Sequence, residues 1–111
     1  MEHRSDPAFG SSLALELKLD HPHLDLYSLL EYFGVTVDYE QPPADESYLK
    51  RISEYRPKSK KIVIFHRERE TEAIAHELFH HLERLHSYSF SSKESEEHAA
   101  AFAKEMIYLF N

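Results

Sequence analysis

The chain has 111 residues, of which 41% are hydrophobic, enough for one folded domain but too few for two. Its net charge of -7 argues against nucleic acid or an anionic membrane as a partner, because both require a basic face. The chain contains no cysteine, so any zinc must be held by histidine and carboxylate side chains. Neither a signal peptide pattern nor an apolar run of about 18 residues is present, so we expect a cytoplasmic protein. We predict a flexible arm over residues 1–12 and a single domain over residues 13–111.

The first predicted elements are a strand and a helix. Leucines alternate with polar or small residues from Leu13 to Leu19, which indicates a half-buried strand, with a short helix as the alternative. Apolar residues at helical spacing then predict a helix over residues 24–33. Gly34 follows directly and supplies a helix stop.

Two strands are predicted in the middle of the chain. The first covers residues 35–39, where apolar and polar residues alternate, and it ends before the prolines at 42 and 43. Residues 48–55 are ambiguous. The run Ile62–Phe65 predicts a buried strand, because its residues are β-branched or aromatic. We expect this strand at the edge of a sheet, where an extended substrate could pair with it.

Two helices complete the predicted fold. Residues 68–86 contain neither glycine nor proline, and one apolar stripe runs along them, formed by Ile74, Leu78, Leu82 and Leu85. Ser91, with Glu94 three residues later, fits a capping box for a last helix that reaches Tyr108 or beyond. The order strand, helix, strand, strand, helix, helix predicts an α+β fold. A small antiparallel or mixed sheet would pack against the last two helices.

The first of these two helices carries the sequence His76-Glu77-Leu78-Phe79-His80, an HExxH pattern. Histidines four residues apart on a helix point the same way, so both can bind one metal ion with Glu77 beside it. With nine histidines in the chain, a shuffled sequence would contain the bare pattern with an expectation of roughly 0.1, so its context matters. His76 and His80 lie on a different face from the apolar stripe, which favours a role as ligands.

A third ligand is predicted on the last helix. Glu96 projects from the middle of an apolar face, formed by Ala99, Ala100, Ala103, Ile107 and Phe110, where a carboxylate needs a partner. The short connection makes the two helices an antiparallel pair and brings Glu96 towards His80. His86 is the alternative third ligand, because its spacing from His80 in the sequence is that of the long metzincin motif. That motif has a glycine where this chain has Glu83, and on a continuous helix His86 lies about 9 Å along and 120° round from His80. Solvent-facing positions on the last helix are expected at Glu97, His98 and Glu105.

The chain resembles the ImmA/IrrE family of zinc metallopeptidases, bacterial and phage proteins that cleave transcriptional repressors. The resemblance includes residues 29–37, where a helix ends in glycine ahead of a strand, and the strand over residues 61–65 that leads into the HExxH helix. It also includes the pattern Glu96-x-x-Ala99-x-x-Phe102-Ala103. The resemblance implies a zincin-like fold with Glu96 as third zinc ligand. The family commonly has glycine where this chain has Phe79, and commonly continues past the last helix, so the substrate and any regulation are not carried over.

The sequence therefore predicts a Zn²⁺-dependent peptidase acting on a protein or peptide substrate. His76, His80 and Glu96 would hold the ion, and Glu77 would act as general base and then general acid. Three tyrosines are candidates for stabilising the oxyanion: Tyr48, Tyr55 and Tyr88. One alternative is a non-catalytic zinc protein that binds a partner in a phage or toxin–antitoxin system. The other is a metal-free α+β domain with solvated histidines. The oligomeric state is left open.

Overall fold

The computed structural model describes residues 8–42 and 52–110 of the chain. The elements, in chain order, are α1 (Phe9–Asp20), α2 (Leu26–Tyr32), β1 (Thr36–Tyr39), β2 (Ser53–Arg56), β3 (Lys61–Ile64), α3 (Glu70–Leu85) and α4 (Ser92–Phe110). These residues form an α+β arrangement, as predicted, with four helices and a mixed sheet of three strands. Within the same two stretches, every helix is too short or too polar to cross a membrane.

Helix α1 stands where the sequence predicted a strand over residues 13–19. The residues that α1 buries recur at intervals of three and four, and they are Phe9, Gly10, Leu13, Ala14 and Leu17. This face packs against α4, whereas Leu15 and Leu19 point away and are 49% and 71% exposed. The strand prediction was wrong because the alternating leucines do not share one environment. Helix α1 begins inside the segment predicted as an arm, of which residues 1–7 lie outside the described residues.

Gly10 allows α1 and α4 to approach closely. A Cβ atom added at Gly10 would lie 2.2 Å from the carbonyl oxygen of His98, well inside van der Waals contact. Any larger residue would therefore push the two helices apart. The contact between α1 and α4 is one of the main packing interfaces in the described part of the molecule.

Gly34 ends α2 as predicted, and β1 follows it. Its φ angle is +72°, a conformation that glycine adopts without steric penalty. The Gly34 amide donates to the carbonyl of Glu31 at 3.0 Å, and the Val35 amide donates to that of Leu30 at 2.9 Å. These two bonds form a Schellman motif, which satisfies carbonyl groups at the helix end.

The sheet has the strand order β1-β3-β2, with β1 parallel and β2 antiparallel to β3. Strand β3 is therefore central, and the prediction that Ile62–Phe65 forms an edge strand was wrong. Ile62, Val63 and Ile64 are at most 1% exposed, which is typical of a strand covered on both faces. Strand β2 occupies an edge of the described sheet instead and contains the last three residues of the ambiguous segment 48–55. Residues 48–51 of that segment lie outside the described residues.

Helices α3 and α4 form the predicted antiparallel pair. Helix α3 is continuous to Leu85 and ends with Ser87 at a φ angle of +55°, where the Tyr88 amide donates to the carbonyl of Glu83 at 3.0 Å. Leu85 is 55% exposed, so the apolar stripe ends one turn earlier than predicted. Between the two helices lies part of the core, including Leu78, Phe79, Leu82, Ala99, Phe102, Ala103 and Met106.

The predicted capping box at the start of α4 is confirmed. The Glu94 amide donates to Ser91 Oγ at 3.1 Å, and the Ser91 amide donates to Glu94 Oε1 at 2.9 Å. These reciprocal bonds fix where the last helix begins. Because Glu96 lies two residues beyond Glu94, the cap also sets its position in the first turns of the helix. Helix α4 then continues to Phe110, in agreement with the prediction that it reaches Tyr108 or beyond.

Candidate metal centre

The three predicted metal ligands converge at the junction of α3 and α4. His76 Nε2 lies 3.1 Å from Glu96 Oε1, and His80 Nε2 lies 3.0 Å from Glu96 Oε2. One ligand atom from each residue lies within 4.8 Å of the others, so these three residues could hold a metal ion. His86 is not part of the cluster, because it caps the end of α3 instead of following a break at Glu83.

Glu96 reaches the histidines from the margin of the buried face of α4, not from its middle as predicted. Its side chain is 63% exposed. The buried face of α4 consists of Ser95, His98, Ala99, Phe102, Ala103, Met106 and Phe110. His98 was expected in solvent but is buried, because the rings of Phe90 and Phe9 cover it, with centroids 4.7 and 5.3 Å away. Glu96 thus contacts the two histidines as expected, although the apolar face of α4 was predicted wrongly.

A cleft of about 1100 Å³ opens over this cluster. It runs along α3, with β2 and the connection between α3 and α4 forming the other walls. Its lining includes Ser53, Tyr55, Ala73, His76, Glu77, His80, Glu83, Arg84, Tyr88 and Glu96. The donor set contains two imidazoles and one carboxylate and no thiolate. That composition fits catalytic zinc sites, which have three protein ligands and keep a fourth position open for water or substrate.

His80 is oriented by a second carboxylate that the sequence analysis did not assign to the site. His80 Nδ1 lies 3.2 Å from Glu83 Oε1, and the Ser95 hydroxyl donates to the same oxygen at 2.7 Å. A proton on Nδ1 would be donated to Glu83, which leaves the Nε2 lone pair facing the cluster. The spacing of three residues between His80 and Glu83 was a usable signal. The contribution of Ser95 depends on tertiary packing and carried no signal in the sequence.

Glu77 lies beside the three ligands and is held by strand β2. Its side chain is 7% exposed, and Oε2 accepts a hydrogen bond of 2.7 Å from the hydroxyl of Ser53. One turn further along α3, His81 Nδ1 lies 2.7 Å from the hydroxyl of Tyr55, which is two residues after Ser53. The Ser53–Glu77 and Tyr55–His81 bonds therefore connect the same face of β2 to the same face of α3.

The Tyr55–His81 pair is partly buried, and this shifts the pKa of both groups. Burial lowers the pKa of His81, and the nearby charges of Lys60 and His86 lower it further. Burial also raises the pKa of Tyr55. A neutral His81 can accept a hydrogen bond from the Tyr55 hydroxyl at Nδ1. Of the three tyrosines considered for the oxyanion, Tyr55 and Tyr88 line the cleft, and Tyr48 lies outside the described residues.

Comparison with known proteins adds no identification, since no family model, curated protein or solved structure matches the chain. The resemblance to the ImmA/IrrE family therefore rests on the residues quoted above and stays a prediction.

Proposed function

We propose that the protein is a zinc-dependent metallopeptidase that hydrolyses peptide bonds of a protein substrate. The observation that carries the proposal is the convergence of His76, His80 and Glu96 on the floor of an open cleft, with Glu77 adjacent. The nitrogen and oxygen donors suit zinc, and no cysteine competes for it. Zinc bound there would lower the pKa of a water molecule and polarise the scissile carbonyl group.

Glu77 would carry out the proton transfers. It lines the cleft without belonging to the ligand set, so its carboxylate is available to take a proton from the attacking water and pass it to the leaving amine. The hydrogen bond from Ser53 fixes Oε2 and so orients the carboxylate. A hydroxyl group on the cleft wall, from Tyr55 or Tyr88, would stabilise the oxyanion.

The substrate would enter as an extended segment beside β2. This strand lines the cleft, and within the described sheet it pairs with β3 alone. An edge strand can pair with an added peptide through main-chain hydrogen bonds, which favours unfolded or flexible segments. The resemblance to the ImmA/IrrE family suggests a transcriptional repressor as the substrate.

One observation favours a second candidate, a non-catalytic zinc protein that binds a partner in a phage or toxin–antitoxin system. Glu77 is almost fully buried, and its bond to Ser53 would also serve as a structural connection between α3 and β2. Under this alternative the same three ligands would hold zinc, and Glu77 would have no role in proton transfer.

The Glu77→Gln variant separates the two candidates. Glutamine keeps the size of the side chain and can still accept from Ser53, but it removes the base. We expect the variant to retain zinc and to cleave a susceptible partner about 10²- to 10⁴-fold more slowly. Glu97→Gln is the matched control, since Glu97 is exposed on α4 and lies outside the ligand cluster.

The measurement is co-expression of each protein with candidate repressors encoded nearby, followed by mass analysis of the repressors and metal analysis of the purified protein. Equal fragmentation with wild type and Glu77→Gln would reject the peptidase. Zinc in the purified protein together with a cellular effect that survives Glu77→Gln would support the binding protein. Purification without chelator that yields no zinc would reject both.

A further inference from the structure

Most charged side chains on the walls of the cleft have partners within the described residues. Glu54 pairs with Arg56 at 2.6 Å, and Glu72 pairs with Arg69 at 2.8 Å. The remaining acidic groups of the lining are bound to Ser53, Ser95 or the two histidines of the cluster, as described above. Each acidic side chain of the lining thus has a hydrogen-bond or ion-pair partner within the protein.

Arg84 is different. Arg84 lines the cleft and is exposed, and within residues 8–42 and 52–110 it forms no salt bridge with a carboxylate. Arg84 follows His80 by four residues on α3, so it lies on the same helix face and about 6 Å further along the axis. The guanidinium of Arg84 is therefore available to a ligand that binds in the cleft.

Other basic residues lie near Tyr55 and His81, behind the wall of the cleft that Tyr55 lines. The charge of Arg84 reaches the hydroxyl of Tyr55, where it opposes the larger effect of burial on the pKa of that group. Lys60 and His86 lie close enough to His81 to lower its pKa in addition to burial. Arg84, Lys60 and His86 are thus basic residues close to the Tyr55–His81 pair, on a chain whose formal net charge is -7.

We propose that Arg84 forms a subsite that binds a carboxylate of the substrate next to the scissile bond. The inference rests on the proposed peptidase function, because it assumes that the scissile bond lies at the three-ligand cluster. The guanidinium presents its donors in a planar fork that matches a carboxylate, so it recognises this group better than a neutral amide. The distance of about 6 Å from His80 corresponds to roughly two extended residues at 3.3 Å each.

The substrate class is therefore a peptide that carries a carboxylate within two residues of the bond that is cut. That carboxylate has two possible sources, an Asp or Glu side chain or the C-terminus of the peptide. A side chain would make the protein an endopeptidase with a preference for acidic sites. A chain terminus would make it a carboxypeptidase or dipeptidase. The chemistry at Arg84 is the same in both cases.

Peptide binding to zinc-loaded Glu77→Gln protein tests this subsite without requiring hydrolysis. The probes are short fluorescent peptides with Glu or Gln at each position flanking a central Ala-Ala bond, prepared with amidated or free C-termini. We expect carboxylate-bearing peptides to bind about tenfold more tightly at low salt than their neutral counterparts. The preference should vanish when Arg84→Gln is added. It should persist with Arg69→Gln, the matched control, because the charge of Arg69 is taken up by Glu72.

The two sets of peptides identify the source of the carboxylate. A preference for Glu over Gln in amidated peptides points to a side chain, and a preference for free over amidated termini points to the chain end. The subsite would be overturned by any of three results: equal affinities for all peptides, a preference that survives Arg84→Gln, or no binding of any peptide. Digestion of the same peptides with wild-type protein is run in parallel. A preference that depends on Arg84 but occurs without hydrolysis would keep the subsite and reject the peptidase.

Discussion

Replacing Glu83 with alanine should weaken zinc binding although Glu83 is not a ligand. The substitution removes the carboxylate that accepts from Nδ1 of His80 and leaves the imidazole free to rotate or to change tautomer. It also leaves the hydroxyl of Ser95 without the oxygen to which it donates. The side chain of Glu83 is only 18% exposed, so water replaces it poorly.

The expected loss is 10- to 100-fold in zinc affinity, the usual effect of removing the outer partner of a metal-bound histidine. At 1.4 kcal/mol per factor of ten, this corresponds to roughly 1.4–2.8 kcal/mol. The loss of zinc affinity in Glu83→Gln should lie at the lower end of this range or below it, because the amide oxygen can still accept a hydrogen bond from Nδ1 of His80. Ser95→Ala should lose less than Glu83→Ala, because it removes only the support of the carboxylate.

Competition with a chromophoric zinc chelator at fixed pH measures these affinities. The matched control is Glu97→Ala, which removes an acidic residue of the same type from the exposed side of α4. Circular dichroism of the apo proteins checks that α3 still forms. If folded Glu83→Ala protein binds zinc within twofold of wild type, Glu83 does not orient His80, and the 3.2 Å contact has no role in metal binding.

Three further predictions concern the fold and the metal. Gly10→Ala should lower the free energy of unfolding in urea by roughly 1–3 kcal/mol, because the added methyl group overpacks the contact between α1 and α4. An unchanged free energy of unfolding would show that α1 and α4 are further apart. Leu17→Ala should lower the free energy of unfolding by about 2 kcal/mol or more, because Leu17 is buried, whereas Leu19→Ala should lower it by less than about 0.5 kcal/mol. Equal losses of unfolding free energy in urea would support a strand instead of α1. Zinc at 100 times its Kd should stabilise the protein by about 2.7 kcal/mol in thermal unfolding, and Glu96→Ala should remove most of this gain; equal stabilisation of both proteins would place the metal elsewhere.

The elements that the sequence predicted correctly are those whose signals are local. Gly34 ends α2 and Ser91 caps α4 through bonds that reach at most five residues along the chain. The histidine pair of the metal cluster depends only on helix geometry. Such features follow from the local sequence because no distant part of the chain contributes to them.

The elements that the sequence predicted wrongly depend on what packs against them. The leucines of residues 13–19 fit a strand or a helix equally well until α4 covers one side of them. Ile62–Phe65 is apolar in every position, which identifies a buried strand but not its place in the sheet. Glu96 lies beside the two histidines as expected, but the apolar face of its helix was predicted wrongly, since Ser95 and His98 turn inward and Ala100 does not.

The two hydrogen bonds between β2 and α3 make assembly of the site dependent on correct strand pairing. In the observed register, Ser53 lies opposite Ile64 and Tyr55 opposite Ile62. A shift of β2 by one residue would turn its other face, with Glu54 and Arg56, towards the helix. Glu77 would then lose its hydroxyl donor, and an acidic and a basic side chain would enter its surroundings. If the proposed peptidase function holds, a mispaired chain would be inactive as well as less stable, and an activity assay would report only the correctly paired molecules in a refolded sample.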